Sequence, residues 1–332
     1  MSDRVQDRIN GATTGVVLLQ LGGPDSLEAV EPFLYNLFCD PDIIDLPMAF
    51  LFRRPLARLI SSRRAPKVQE YYRRIGGRSP ILRLTARQAR ALGNALGSTS
   101  PPLVGIAMRY WHPLTVDIVR KFQAEGIGRV VLLPLYPQYS KSTTGSSVNE
   151  WKRVARREGY HPDVRIVEEY CEQPDYIAAI VDNVRIALKR VPGADRGAVH
   201  LVFSAHGTPM SLVHAGDPYQ QHVIRTYEAV LKAGNFGLPH TLCYQSKVGP
   251  QKWLEPSLSG TVRRLASDKV THMIVVPLAF VSDHSETLWE INIETRREAQ
   301  QLGVRYFDMS PALNTNPAFI RALRQLVLAQ LV

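Results

Sequence analysis

A histidine and a series of carboxylates each follow a buried-strand pattern in this sequence. The apolar run 201–205 ends at His206, which Gly207 follows directly. A second apolar run, 273–280, leads into three carboxylates spaced i, i+3, i+7, namely Asp283, Glu286 and Glu290. On a helix this spacing places all three on one face. Imidazole and carboxylate groups bind divalent metals and exchange protons, so the pattern predicts one of these two chemistries.

A purely structural role is an alternative explanation for some of the same residues. His206 would also serve as a partly buried core histidine, and Asp283 as the N-cap of a helix. Neither role explains Glu290, two turns into the expected helix, where neighbouring carboxylates raise one another's pKa. His284 lies beside the series and is expected to join it. No H-E-x-x-H spacing occurs, which argues against a tight structural zinc site.

Short strand patterns rich in Val, Ile and Leu alternate with helical patterns, which is typical of a parallel sheet covered by helices. The pattern occurs twice: the strand before 22–24 matches the strand before 206–209, and 131–140 matches 275–282. We therefore predict two similar doubly wound α/β halves facing a central cleft, over residues 12–180 and 181–332. The join is expected near 174–192, and the last helix, 317–331, is expected to pack on either half.

The formal net charge of +10 predicts a surface that attracts anions, whether nucleic acid, anionic lipid or a carboxylate-bearing small molecule. Much of this charge lies in 50–67, where arginines alternate with apolar residues. Such a segment lies on an anionic membrane, lines an anionic pocket, or is a solvated amphipathic helix packed on a core. No nucleic-acid-binding module is recognisable, so nucleic acid is not a predicted partner.

Cofactor and compartment signals are few. The three cysteines, Cys39, Cys171 and Cys243, form no C-x-x-C pair, which favours a reducing cytoplasm. The charged segment 1–8 lacks the apolar core of a signal peptide, so we expect a soluble, unexported protein. The glycines at 22–23 lack dinucleotide-binding spacing, and 143–147 lacks a P-loop lysine, so NAD and ATP are not predicted.

A set of separated motifs resembles one known family, ferrochelatase, from about Gly15 to the C-terminus. The motifs are LQLGGP at 19–24, YYRRIGGRSP at 71–80, MRYWHP at 108–113, YPQYS and STTGSS within 136–147, SAHGTP at 204–209, QSKVGPQKWL at 245–254 and FVSDHSETLWE at 280–290. The resemblance implies two Rossmann-like halves around a porphyrin cleft. It implies insertion of Fe2+ into protoporphyrin IX with release of two protons, the final step of haem biosynthesis.

The resemblance also assigns roles to residues. His206 and Glu286 would be the catalytic pair that handles the metal and the protons. The proton or metal path behind them would be formed by Asp283, His284 and Glu290. The porphyrin propionates would be bound by Arg63, Arg64 and Ser79. The pocket would be lined by Leu18, Arg109, Tyr110, Trp253 and Phe280. Whether His206 chiefly accepts protons or chiefly binds iron is left open by the sequence.

The resemblance further implies a hydrophobic, basic lip of the cleft at about 46–66 that touches the inner face of the cytoplasmic membrane. Family members with a 2Fe-2S cluster carry a cysteine where this chain has Lys141, and three more in a C-terminal extension, so no cluster and no permanently bound cofactor are expected. Coproporphyrin, cobalt insertion into another tetrapyrrole, and a non-catalytic porphyrin carrier stay open as alternatives, as does the choice between monomer and homodimer.

Overall fold

The computed structural model describes residues 13–43, 49–97, 102–247 and 251–332. The charged N-terminal segment, on which the expected absence of a signal peptide depends, lies outside these ranges. So do residues 46–48 of the predicted lip and residues 248–250 of the QSKVGPQKWL motif.

The chain divides into two compact units. The first comprises the residues up to Tyr170 together with Ile320–Val332, and the second comprises Cys171–Phe319. The boundary lies before the predicted one at 180, because the helix Pro174–Arg190 packs within the second unit. Its buried Tyr176 donates a hydrogen bond to the carbonyl of Leu278 at 3.0 Å. The end of the last helix belongs to the first unit.

The first unit contains a four-stranded sheet in the order β2-β1-β3-β4, with every neighbouring pair parallel. Its strands are β1 Thr14–Gln20, β2 Leu103–Met108, β3 Arg129–Pro134 and β4 Asp163–Ile166. Its helices are α1 Val30–Phe38, α2 Ala49–Arg74, α3 Ile81–Leu96, α4 Thr115–Ala124 and α5 Ser146–Arg157, with a π-helix at Lys141–Gly145 directly before α5.

The central strand β1 is buried at all seven positions, as its continuous apolar sequence requires for a sheet covered on both faces. On one face the core contains Val17, Leu19, Phe122 and Trp151. The strand residue Gly105 belongs to this packing, since a Cβ at that position would collide with the side chain of Ile118 in α4. Glycine at this position therefore lets the helix approach the sheet closely.

The second unit repeats the arrangement, with parallel strands in the order β6-β5-β7-β8. Its strands are β5 Val199–His206, β6 His240–Gln245, β7 His272–Pro277 and β8 Tyr306–Met309. Its helical elements are α6 Pro174–Arg190, a 3-10 helix at Gly193–Ala198, α7 Met210–His214, α8 Tyr219–Gly234, α9 Leu258–Ser267, a π-helix at Glu286–Thr295 and α10 Arg296–Gln301. The final helix is α11, Pro317–Ala329.

The prediction of two similar α/β halves with parallel sheets is confirmed by this repeated strand order. In the second unit β5 lies between β6 and β7, and all three strands run in the same direction. Their carboxyl ends therefore meet at one edge of the sheet, which is where parallel α/β sheets place their ligand sites. His206, Gln245 and the segment after Pro277 all lie at this edge.

Candidate active site

His206 is the last residue of β5, and its ring contacts Glu286 of the π-helix. Its Nδ1 lies 2.8 Å from Oε2 of Glu286, and its backbone carbonyl accepts a hydrogen bond from the Tyr219 hydroxyl at 2.9 Å. Gly207 is required at the strand exit, because a Cβ there would lie 2.9 Å from the carbonyl oxygen of Gln245. With the carboxylate of Glu286 ionised, the Nδ1 atom carries the proton of the ring. The Nε2 atom is then available as a base or a metal ligand.

Glu286 and Glu290 lie one turn apart on the π-helix and share one hydroxyl group. Ser246 Oγ lies 2.8 Å from Glu286 Oε2 and 2.6 Å from Glu290 Oε2. Ser246 has a positive φ of 66°, an uncommon conformation outside glycine that is often found at functional sites. Glu290 also accepts a hydrogen bond from Gln245, whose amide oxygen is in turn held by Ser204 at 2.8 Å. A continuous set of hydrogen-bonding groups therefore runs from His206 to Glu290.

The sequence analysis predicted no role for Gln245 or Ser246, although both belong to the QSKVGPQKWL motif at 245–254. A positional signal existed: Gln245 ends the strand pattern at 241–245 and Ser246 follows it directly. Polar residues at the end of a strand next to β5 lie at the site edge. What the sequence did not reveal is that β6 is the neighbour of β5.

The carboxylate series departs from the predicted helical face. The helix that carries Glu286 and Glu290 is a π-helix, and it begins after Asp283. The Asp283 carboxylate accepts hydrogen bonds from Thr287 at 3.1 Å and from Asn314 at 2.8 Å. The expected stack of three carboxylates is therefore wrong: two face Ser246, and Asp283 stabilises the start of the helix. π-Helical turns occur often at functional sites, since they alter which side chains share a face.

His284 lies on the other side of Glu286. Its Nε2 is 3.8 Å from Glu286 Oε1, while its Nδ1 lies 3.0 Å from the carbonyl of Ser282. The structure therefore brings one predicted path residue, His284, beside Glu286, and places a second one, Glu290, behind Ser246.

The protonation equilibria of the group follow from burial and these short contacts. Burial lowers the pKa of His206, but the charge and hydrogen bond of Glu286 outweigh it, and the net pKa is raised. Burial alone would raise the pKa of Glu286, yet His206 and His284 hold it well below its ordinary value. Burial and the charge of Glu286 raise the pKa of Glu290 to about 7. The site thus pairs a carboxylate that is ionised at neutral pH with one that gains and loses a proton near neutral pH.

Two aromatic residues predicted to line the pocket lie close to His206 in the second unit. The Phe280 ring is edge-on to the His206 ring at 6.4 Å between centroids, and tilted against His284 at 4.8 Å. Trp253 pairs with Pro209 through an isolated bridge just beyond Gly207. Both provide apolar surface beside the imidazole, as a flat apolar ligand requires.

The predicted propionate ligands belong to the first unit. Arg63 is exposed on α2, and the guanidinium of Arg64 lies over the ring of Phe38 at 5.6 Å. Ser79 donates its backbone N–H to the carbonyl of Pro24 at 2.8 Å, which holds it against the Gly-Gly-Pro loop. Only Arg63, among these three, has neither an ion pair nor another described contact in the part of the chain that the structure describes.

The three remaining lining residues do not present the surface that was expected. Leu18 and Tyr110 are each 0% exposed, so neither side chain is available to a ligand in this structure. Arg109 forms an ion pair with the buried carboxylate of Asp40 at 3.0 Å, and the Tyr110 hydroxyl donates to the same carboxylate at 2.6 Å. Ser146 also hydrogen-bonds Asp40. These residues instead connect the end of α1 to β2 and α5.

Solved structures of other proteins share the fold of this chain. The SirB chelatase of Bacillus subtilis, solved with Fe3+, superposes with a TM-score of 0.57 at 13% identity, over 96% of both chains. Its counterpart from the subspecies spizizenii, a sirohydrochlorin chelatase solved with cobalt, gives 0.55 at 11% identity, over 95% of this chain and 94% of that one. The fold is therefore the chelatase fold.

Proteins related in sequence identify the family within the chelatase fold. The ferrochelatase family model matches residues 13–331. A ferrochelatase of Geotalea daltonii is 48% identical over 316 residues, covering 95% of this chain and 97% of that protein. One from Aquifex aeolicus is 45% identical over 315 residues, covering 94% and 98%. This chain belongs to the ferrochelatase family.

Proposed function

We propose that this protein is a protoporphyrin ferrochelatase, a lyase that forms nitrogen–metal bonds by inserting Fe2+ into protoporphyrin IX as the last step of haem biosynthesis. The observation that carries the proposal within the family is the connected set His206, Glu286, Ser246 and Glu290. Insertion replaces two pyrrole N–H protons with a metal, so the enzyme needs a base beside the porphyrin and a route by which protons leave. A base, an ionised partner and a titratable exit group are the three components found in this set.

His206 accepts the two pyrrole protons at Nε2 one after the other, passing on the first before it takes the second, and each time the imidazolium is stabilised by the ionised Glu286 at Nδ1. The Ser246 hydroxyl connects Glu286 to Glu290, whose pKa of about 7 lets it take up a proton and release it to water. Imidazole and carboxylate bind ferrous iron moderately, so the same pair suits a metal that must leave for the porphyrin. Binding that bends the porphyrin would expose its nitrogen lone pairs and lower the barrier further.

Arg63, Arg64 and Ser79 bind the propionates in this proposal. A guanidinium forms charge-assisted hydrogen bonds with a carboxylate, and Arg63 is exposed and uncommitted in the described residues. The proposal includes no 2Fe-2S cluster, because Lys141 stands where cluster-bearing family members carry a cysteine.

We further propose a cytoplasmic protein with peripheral membrane contact through the lip at about 46–66. Within the described residues, no helix is both long and apolar enough to cross a membrane. On α2, however, Phe52 and Leu59 are 61% and 47% exposed among arginines. Exposed apolar side chains beside cations are typical of helices that lie in the headgroup region of an anionic bilayer.

The test is porphyrin metallation by the purified protein, with zinc or anaerobic ferrous iron, followed in the porphyrin spectrum. Wild type is expected to turn over protoporphyrin, with coproporphyrin run beside it. His206→Ala is expected to retain porphyrin binding and to lose turnover by several orders of magnitude. The matched control is His214→Ala, at an exposed position of α7. Near-normal turnover by His206→Ala would refute the assignment, and binding without insertion by the wild type would indicate a carrier.

A further inference from the structure

The first unit contains a surface groove beside α1 and α2 that the proposed reaction does not use. It encloses about 590 Å3 and is lined by Tyr35, Arg54, Pro55, Arg58, Leu59 and Ser62. Five of these six residues lie on α2 within three turns, and Tyr35 faces them from α1. The groove thus lies along the exposed side of α2, beside the apolar contact of α1 with α2 that includes Val30, Leu34 and Ala65.

Two positive charges face this groove. Arg54 and Arg58 are four residues apart, so their side chains lie on the same face of α2. Both are exposed, and neither forms an ion pair with any residue that the structure describes. This contrasts with Arg73 and Arg74 at the end of the same helix, which both bind the carboxylate of Glu70, at 3.2 and 2.9 Å.

The Tyr35 hydroxyl lies within the field of both charges. A hydrogen bond with Cys39 and burial raise the pKa of Tyr35, while the charges of Arg54 and Arg58 act in the opposite direction. Two guanidinium groups and a phenol hydroxyl therefore converge on one small region. The two guanidinium groups donate hydrogen bonds and carry positive charge, which is the chemistry that recognises an oxyanion.

The rest of the groove and its rim are apolar. Pro55 and Leu59 line it, and Leu59 is 47% exposed. Phe52 lies one turn before Pro55 and is 61% exposed. A small hydrophilic anion would leave these groups in water. An amphiphile with an anionic head and an apolar tail would cover them and meet the arginines at once.

We propose that this groove is a binding site for the phosphate group of an anionic phospholipid, with the acyl chains lying over Leu59 and Phe52. The proposal rests on the membrane contact proposed above and makes it specific, since it assigns lipid selectivity to Arg54 and Arg58 rather than to the total charge of the protein. It does not depend on iron insertion, because the binding experiment contains neither porphyrin nor metal.

The experiment is cosedimentation of the full chain with vesicles of phosphatidylcholine alone or with phosphatidylglycerol. Wild type is expected to prefer the phosphatidylglycerol vesicles. The double variant Arg54→Ala/Arg58→Ala is expected to bind them about 30-fold more weakly. Each arginine charge lost near an anionic surface weakens binding roughly fivefold, and the variant loses both. The matched control, Arg73→Ala/Arg74→Ala, removes the same charge from the same helix and should retain most of the binding.

Two results would overturn the proposal. An equal loss in the two double variants would show that net charge, and not the groove, drives the binding. Equal affinity of the wild type for inorganic phosphate and for dispersed short-chain phosphatidylglycerol, measured by calorimetry, would show that the site serves a soluble anion and not a lipid. Unaltered iron insertion alongside lost lipid binding would separate this site from the active site.

Discussion

Replacement of Glu290 by glutamine should stabilise the protein at alkaline pH while it impairs turnover. Burial and the charge of Glu286 raise the pKa of Glu290 from 4.5 to about 7. The folded state therefore binds a proton more tightly than the unfolded chain, and its stability falls as the pH rises from 4.5 through 7. At about 1.4 kcal/mol per pH unit, this interval costs the wild type about 3 kcal/mol at pH 8. Glutamine cannot ionise, keeps the size of the side chain and can still hydrogen-bond Ser246.

The assay is urea unfolding of wild type and Glu290→Gln at pH 5 and pH 8. We expect the variant to be more stable by about 3 kcal/mol at pH 8 and by less than about 1 kcal/mol at pH 5. The control is Glu228→Gln, at an exposed position of α8, which should change stability little at either pH. Turnover of Glu290→Gln should fall, because the exit group for protons is lost. A stability difference independent of pH, or a wild type more stable at pH 8, would refute this account of the site.

For three further substitutions, the structure determines the direction of the expected effect on stability or on the pH–rate profile. Asp40→Ala removes the nearer carboxylate partner of the buried Arg109 guanidinium, leaving Glu150 at 3.9 Å, and should cost about 3 to 5 kcal/mol in urea unfolding; a loss below about 1 kcal/mol would contradict the buried ion pair. Ser246→Ala removes a hydrogen bond that lowers the pKa of Glu290, so the acid limb of the pH–rate profile should move to higher pH, and an unchanged limb would exclude this connection. Gly105→Ala places a Cβ against α4 and should destabilise the first unit by about 1 to 3 kcal/mol, seen as a lower Tm, whereas an unchanged Tm would mean that the helix shifts freely.

The repeated architecture could be predicted because it depends on local patterns. Continuous apolar strands of four to eight residues, each followed by an amphipathic helix, are compatible with few arrangements other than a parallel sheet covered on both faces. The match between the strand exits at 22–24 and 206–209 indicated two copies, and both sheets have the same strand order. The boundary between the units was less accurate, since a connecting helix such as α6 is assigned by what it packs against and not by its own sequence.

For the carboxylate series at 283–290, the prediction from residue spacing was wrong. The series Asp283, Glu286 and Glu290 was interpreted with the period of an α-helix, and the chain forms a π-helix from Glu286 onwards. The geometry of a helical turn at a strand end depends on packing and on partners such as Asn314, which is distant in sequence. Ser246 was overlooked for a related reason, because its hydroxyl gains a role only where two glutamates from another segment approach it.

Leu18, Arg109 and Tyr110 illustrate the same limit in the first unit. Their motifs made them candidates for contact with a ligand, but a motif does not say which side of a strand or loop its side chains occupy. Leu18 is on a strand buried on both faces, and Asp40, far away in sequence, recruits Arg109 and Tyr110 into a buried polar network.

The sequence by itself determined the α/β class, the duplication and the family, and it singled out His206 and Glu286 as candidate site residues, because apolar periodicity and motif chemistry are properties of short segments. Tertiary structure alone decided that Glu286 lies 2.8 Å from His206, that Ser246 joins Glu286 to Glu290, and that Glu290 has a pKa of about 7. Those properties arise from distances and burial between segments separated by tens of residues. Coulomb energy and desolvation depend on these separations in space and not on spacing along the chain.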